Sequence, residues 1–239
     1  MRKNLIHIAI FMGVFFVAVA AMFPYSMIVQ SVLDKQIAVN KVPMTYSSID
    51  CTLFKTTLKG VNMNYGGNNI ELGEVTLRYS PLSALTRKVR ANLNSPYGLA
   101  EVIHSGGELR ADATLDLFRI SKIIKQSAQG ELTVNLDYDL EKKTGAINLS
   151  SGEFTVQTPA MQVKGDSLLG VGEIADSMIN LTSFEVKGDS GVKATGKIVL
   201  DRENIRRTML NLSGEASIMG MTSKFAVRGM LSKPIFTLQ

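Results

Sequence analysis

Two histidines, one cysteine and one close pair of aspartates are the residues whose types and spacing could support catalysis in this chain. Cys51 could act as a nucleophile only if folding brought a histidine base beside it. His104 could serve a triad or a zinc site only with partners at suitable spacing, and the surrounding sequence supplies none. His7 falls inside a long apolar run. Asp137 and Asp139 share one face of any strand that contains both and so imitate an acid–base pair, but a solvated outer face accounts for them fully. Gly66-Gly67 and Gly106-Gly107 match neither the phosphate-loop nor the dinucleotide pattern, and their alternating flanks make them hairpin turns. A single thiol closes no internal disulfide and no cysteine metal cage. The sequence therefore predicts a protein that is not an enzyme, with no cofactor and no metal.

The net charge of +5 is scattered, its densest groups being Arg87-Lys88-Arg90 and Arg202 with Arg206-Arg207. Few aromatics lie among them to stack bases, which argues against nucleic acid and for a solvated face or anionic headgroups.

The elements that would position any site begin with the start of the chain. Leu5 to Phe23 carries almost no polar group and spans about 28 Å as a helix, close to the hydrocarbon thickness. Arg2 and Lys3 precede it, while Asp34 and Lys35 beyond it are neutral overall. The positive-inside rule then places residues 1–4 in the cytoplasm, 5–33 as a single transmembrane anchor with a juxtamembrane turn through Ile28, Val29, Val32 and Leu33, and 34–239 outside. Ala18-Val19-Ala20 has the form of a signal-peptidase site, the rival reading; the length of the apolar run past it favours an uncleaved anchor.

Beyond about residue 45 the dominant period is two. Leu132, Val134, Leu136, Tyr138 and Leu140 are apolar while Glu131, Thr133, Asn135, Asp137 and Asp139 between them are polar, so this segment is oily on one face and wet on the other. Such one-sided burial is typical of antiparallel sheets. The alternation recurs at Val75, Leu77 and Tyr79, at Val192, Ala194, Gly196, Ile198 and Leu200, at Leu210, Leu212, Ala216 and Ile218, and at Phe225 and Val227. The phase slips between Leu72 and Val75, which predicts a β-bulge at Gly73-Glu74. Gly107-Glu108-Leu109, Gly130-Glu131-Leu132, Gly152-Glu153-Phe154 and, more faintly, Gly214-Glu215-Ala216 read as strand starts.

Helix signals are few. Ser80-Pro81 predicts a short helix over the following residues. Leu117, Ile120, Ile123 and Ile124 have helical spacing within Asp116 to Gln126, capped by Asp116. Asp201 to Met209 reads as a third helix or a charged loop. The fold class is mainly β: one transmembrane helix, then a long, curved, mostly antiparallel sheet with one or two short helices. Leu132, Val134, Leu136, Tyr138 and Leu140 form its candidate apolar face for lipid or a partner, because a bare oily face costs about 25 cal/mol per Å² in water.

Thr56-Thr-Leu-Lys-Gly and Leu72-Gly-Glu-Val-Thr-Leu-Arg-Tyr-Ser-Pro-Leu-Ser-Ala-Leu-Thr-Arg-Lys-Val resemble an early strand with its glycine turn, then a strand, a Ser-Pro-Leu-Ser turn and a basic strand, of the type II secretion system protein N family. That family is similar in architecture to the larger AsmA-like lipid-groove β proteins. The resemblance covers most of the chain in layout and about residues 50–110 in detail. It implies an accessory inner-membrane component of a bacterial secretion machine with its β domain in the periplasm, secretion-system membrane components as partners, and no small-molecule substrate. The alternative it leaves open is a lipid-binding or lipid-transfer protein with a hydrophobic groove.

Overall fold

A computed structural model describes residues 25–65, 68–79, 88–124, 127–157, 162–201, 207–218 and 221–238. Helix α1 (Tyr25–Val39) opens them, followed by the short strands β1 (Met44–Thr45) and β2 (Ser48–Cys51). The sheet then builds through β3 (Lys55–Tyr65), β4 (Asn68–Arg78), β5 (Val89–Ser95), β6 (Gly98–Ser105) and β7 (Glu108–Asp116). Helix α2 (Leu117–Ile124) precedes β8 (Ser127–Gln129), β9 (Glu131–Asp139), β10 (Thr144–Ser151) and β11 (Phe154–Gln157). The remainder is β12 (Gln162–Ala175), β13 (Met178–Gly188), β14 (Ser190–Val199), β15 (Met209–Ile218), β16 (Met221–Met230) and β17 (Lys233–Leu238).

All of these strands belong to one antiparallel open sheet. It is a meander: from β3 onward each long strand pairs with the next long strand in the chain. Short connections make this cheap. Between β6 and β7 only Gly106 and Gly107 intervene, both at positive φ (57° and 96°), the backbone that a two-residue hairpin requires and that glycine adopts without strain. The mainly β expectation holds, because period-two runs can hide one face only in a sheet.

Local expectations divide. Register shifts between β3 and β4 lie around Gly60 (φ 59°) and Gly73 (φ 72°), so the expected bulge is present. Helix α2 begins where expected: the Asp116 carboxylate accepts the backbone N–H of Phe118 (2.9 Å) and of Arg119 (3.3 Å). β7 and β9 start at Glu108 and Glu131, and β11 at Phe154. Gly214 corrects the pattern, because it sits mid-strand in β15 opposite Ala194 and Phe225. The Ser80-Pro81 helix and most of the Asp201 to Met209 segment lie outside the described residues, although Met209 itself opens β15. Leu5 to Phe23 also lies outside them; no helix among the described residues is long and apolar enough to cross a membrane.

Helix α1 continues past Leu33 to Val39. Val29, Leu33 and Ile37, four apart, form its half-buried stripe, yet Met27, Ile28, Val32 and Val39 on its other sides are 50–72% exposed. The chain reverses at Asn40 to Pro43, so α1 lies back along β1 and β2, and the Tyr46 hydroxyl donates to the Asp34 carboxylate. Burial first, and that hydrogen bond second, push the Tyr46 pKa up to about 12. The neutral phenol is thus the form that docks the helix. Its contribution is complete below the ordinary tyrosine value of 10.0 and is lost as pH rises through about 12. Tyr46→Phe is expected to weaken the α1 contact by about 1 kcal/mol, one net hydrogen bond. Hydrogen exchange in α1 should then rise about five-fold, with β6 to β10 unchanged.

Candidate functional site

Register turns the alternation of single strands into continuous rows. One row crosses directly opposed residues Leu58, Val75, Leu93, Ala100, Ala113, Val134, Leu149, Gly170, Phe184, Ala194, Gly214, Phe225 and Leu238, strand by strand. The next row runs from Thr56 and Leu77 through Ala91, Val102, Ala111, Leu136, Ile147, Gly172, Leu181, Gly196 and Leu212 to Val227 and Phe236. A flanking row holds His104, Leu109, Tyr138, Gly145, Ile174, Ile179, Ile198 and Leu210, and the other holds Leu115, Leu132, Ser151, Leu168, Val186, Val192 and Ala216. No Asp, Glu, Lys or Arg stands on these rows. Neighbouring rows are about 6.6 Å apart along a strand, so the four cover about 20 Å.

Large side chains lean over glycines in the adjacent strand. A Cβ added at Gly172 would come within 3.0 Å of an Ile179 methyl and 3.2 Å of an Ile147 methyl, and one at Gly165 would overlap the Phe154 ring. The face is thereby smooth and laterally filled. It is not covered. Leu132, Val134, Leu136 and Tyr138 are all half-buried, held by lateral neighbours, whereas Leu58, Val61, Leu181, Val186 and Val227 are the larger aliphatic residues that reach full burial. Four of the five expected face residues thus come together on β9. Leu140 does not: it lies in the turn after β9, 44% exposed, with its N–H on the Gly107 carbonyl. The Asp139 carboxylate ends the strand there by accepting the N–H groups of Glu141 (3.0 Å) and Lys142 (2.9 Å). The Lys142 N–H, then the Lys142 ammonium, and last the Glu141 N–H hold the Asp139 carboxyl below the usual range.

The opposite face is polar and paired. Arg90 meets Glu101 at 2.9 Å, Arg110 meets Asp137 at 3.2 Å, and Lys193 meets Glu185 at 3.4 Å. The ladder Glu185, Lys193, Glu215, Lys224 alternates in sign from strand to strand. These exposed pairs fix register more than they stabilise, at about 0–1 kcal/mol each. Two hollows, about 870 Å³ and 470 Å³, are lined largely from this face. Arg110, Asp137, Glu173, Asn180 and Lys197 line the first, and Thr76, Asn92, Glu101 and Asp112 line the second.

Nucleophile and base stay apart. Cys51 on β2 and His104 on β6 are separated by four strand spacings, about 19 Å. The Cys51 thiol instead lies 3.3 Å from the Thr56 hydroxyl. Asp137 and Asp139, the candidate acid–base pair, are spent on Arg110 and Lys142. No group of three metal-ligating side chains forms among the described residues.

Sequence reasoning found the strand face but not its extent, since the opposition of Leu136 to both Ala111 and Ile147 depends on register. No family model, no curated protein and no solved structure matches the chain.

Proposed function

We propose that this chain is a membrane-anchored sheet protein that holds the acyl chains of membrane lipid against its apolar face. The observation that carries this reading is the run of uncharged rows from β3 to β17 that no second layer of the described residues buries. A width of about 20 Å accommodates chains from one leaflet of a bilayer whose hydrocarbon core is about 30 Å thick. Lipid suits it better than a water-soluble metabolite, because the rows offer no charged group and few hydrogen-bonding groups to orient one. Leu5 to Phe23, read as a single inner-membrane span, places the sheet beside its lipid source in the periplasm.

Full-length protein extracted in mild detergent is expected to carry phospholipid, seen by native mass spectrometry as adducts of phospholipid mass. Folded protein free of lipid at every detergent concentration would overturn the reading.

The resemblance of residues 56–60 and 72–89 to the secretion protein N family supports a second reading. Here the sheet is an accessory, structural component of a type II secretion system, and its apolar face meets another secretion protein. Cross-linking in intact membranes should then capture inner-membrane secretion components, and removal of the chain should lower export. Neither outcome occurs if lipid alone occupies the face.

A further inference from the structure

The end of the sheet nearest the anchor carries a second, separate surface. Helix α1 runs back from Val39, beside the start of β1, and its fifteen residues cover about 21 Å. Met44 to Cys51 covers about 23 Å in the opposite direction. Gln30 and Asp34 line a hollow with Tyr46, Ser48 and Ile49, and the Tyr46 hydroxyl bonds Asp34, so the helix lies along these strands. Tyr25 therefore returns to the level of the turn between β2 and β3.

That turn is tied down. Thr52 N–H donates to the Lys55 carbonyl (2.7 Å), Tyr79 N–H to the Phe54 carbonyl (3.0 Å), and the Tyr79 hydroxyl to the Thr52 carbonyl (3.1 Å). It nonetheless turns Leu53 and Phe54 into solvent, 43% and 51% exposed. Directly beside it, β3, β4 and β5 oppose Lys55, Arg78 and Arg90, three cations in one cross-strand row. Like charges placed opposite each other destabilise a sheet unless an anion lies between them. Glu101 neutralises Arg90, but Lys55, Arg78 and the neighbouring exposed Lys88 meet no carboxylate in an ion pair among the described residues. The far ends of the strands lack this combination: around Asp166, Lys187 and Asp189 the two signs mix.

A rigid apolar tip flanked by cations outside any close ion pair is the composition of a surface that enters a bilayer interface and binds lipid phosphates. We propose that the Leu53-Phe54 turn, with Lys55, Arg78 and Lys88, is a foot that rests on an anionic phospholipid surface. The inference rests on the membrane reading of Leu5 to Phe23. It deepens the lipid reading: lipid would reach the apolar rows from this end of the strands.

The chain contains no tryptophan, so a single one reports its own surroundings. Full-length Phe54→Trp is reconstituted into vesicles of phosphatidylethanolamine and phosphatidylglycerol carrying brominated acyl chains. Met221→Trp, 72% exposed at the opposite end of the strands, serves as the reference. Fluorescence at position 54 is expected to be quenched at least three-fold, and that at position 221 to be unchanged. Changing Lys55, Arg78 and Lys88 together to Gln in the Phe54→Trp protein should remove most of that quenching. Equal, weak quenching at both positions in protein that floats with the vesicles would overturn the foot while leaving the anchor intact. Protein that does not float at all would remove the anchor and the foot together.

Discussion

Full-length protein carrying Leu136→Asn and Ile147→Asn is expected to lose at least nine-tenths of its co-purifying phospholipid. The two residues are directly opposed at the centre of the apolar rows, on β9 and β10. Each change removes apolar area that an acyl chain covers, at about 25 cal/mol per Å². Each also leaves an amide to be desolvated beneath the chain, at about 1–3 kcal/mol in proteins. The sum for two sites is several kcal/mol, and about 1.4 kcal/mol already changes occupancy ten-fold. The matched control lies one residue away along each strand: Asn135 and Asn148 are opposed on the polar face. Asn135→Ser with Asn148→Ser should leave the lipid content unchanged. Both double variants should keep the β-sheet circular dichroism of the parent, since Leu136 and Ile147 are only half-buried and the meander does not depend on them. Phosphate analysis of the purified proteins measures the difference. Equal lipid in the two double variants would show that lipid, where present, does not use this face.

The alternation that located Leu136 also shows how far sequence reads in this chain. Strand β9 was legible because period two has one structural meaning, and the Gly73 bulge because the phase of the apolar residues changes across it. The cap of α2 was legible because Asp116 stands one residue before a helical apolar stripe. Leu140 was not. It continues the period, but a side-chain bond from Asp139 outweighs the period at that point. The rows themselves were not legible either, because opposition across twelve strand pairs depends on turn lengths and bulges that no one segment contains. Most of all, the sequence predicted that the oily face must be covered and could not say by what. In the described residues the strands satisfy one another laterally, and no second layer packs on that face. The separation of Cys51 from His104 was open for the same reason, since strand order alone decides it.

Register is also where the sheet is most vulnerable, and Gly196 tests it. Gly196 has φ 146°, a backbone that side chains avoid, and a Cβ built there would lie 2.2 Å from the Asn211 carbonyl oxygen and 2.8 Å from the Leu212 Cα. Both obstacles are backbone of β15, so relief requires β14 and β15 to part. Gly196→Ala is therefore expected to cost about 3 kcal/mol or more, at the upper end of single substitutions. Two other glycines separate the causes. Gly106 has φ 57° but nothing within 4 Å of its added Cβ, so Gly106→Ala meets only the left-handed strain of about 1–2 kcal/mol. Gly152 has open space and no positive φ, so Gly152→Ala should be neutral or stabilise slightly by restricting the unfolded chain. Thermal unfolding of the full-length protein in one detergent should rank the three in that order. In a meander, each strand's hydrogen bonds are made with its immediate neighbours, so the damage from Gly196→Ala should stay local. Hydrogen exchange should accelerate in β14 to β17 and remain slow in β4 to β9. If Gly196→Ala were as stable as Gly152→Ala, β14 and β15 could not be in this register, and the apolar rows that cross them could not be continuous.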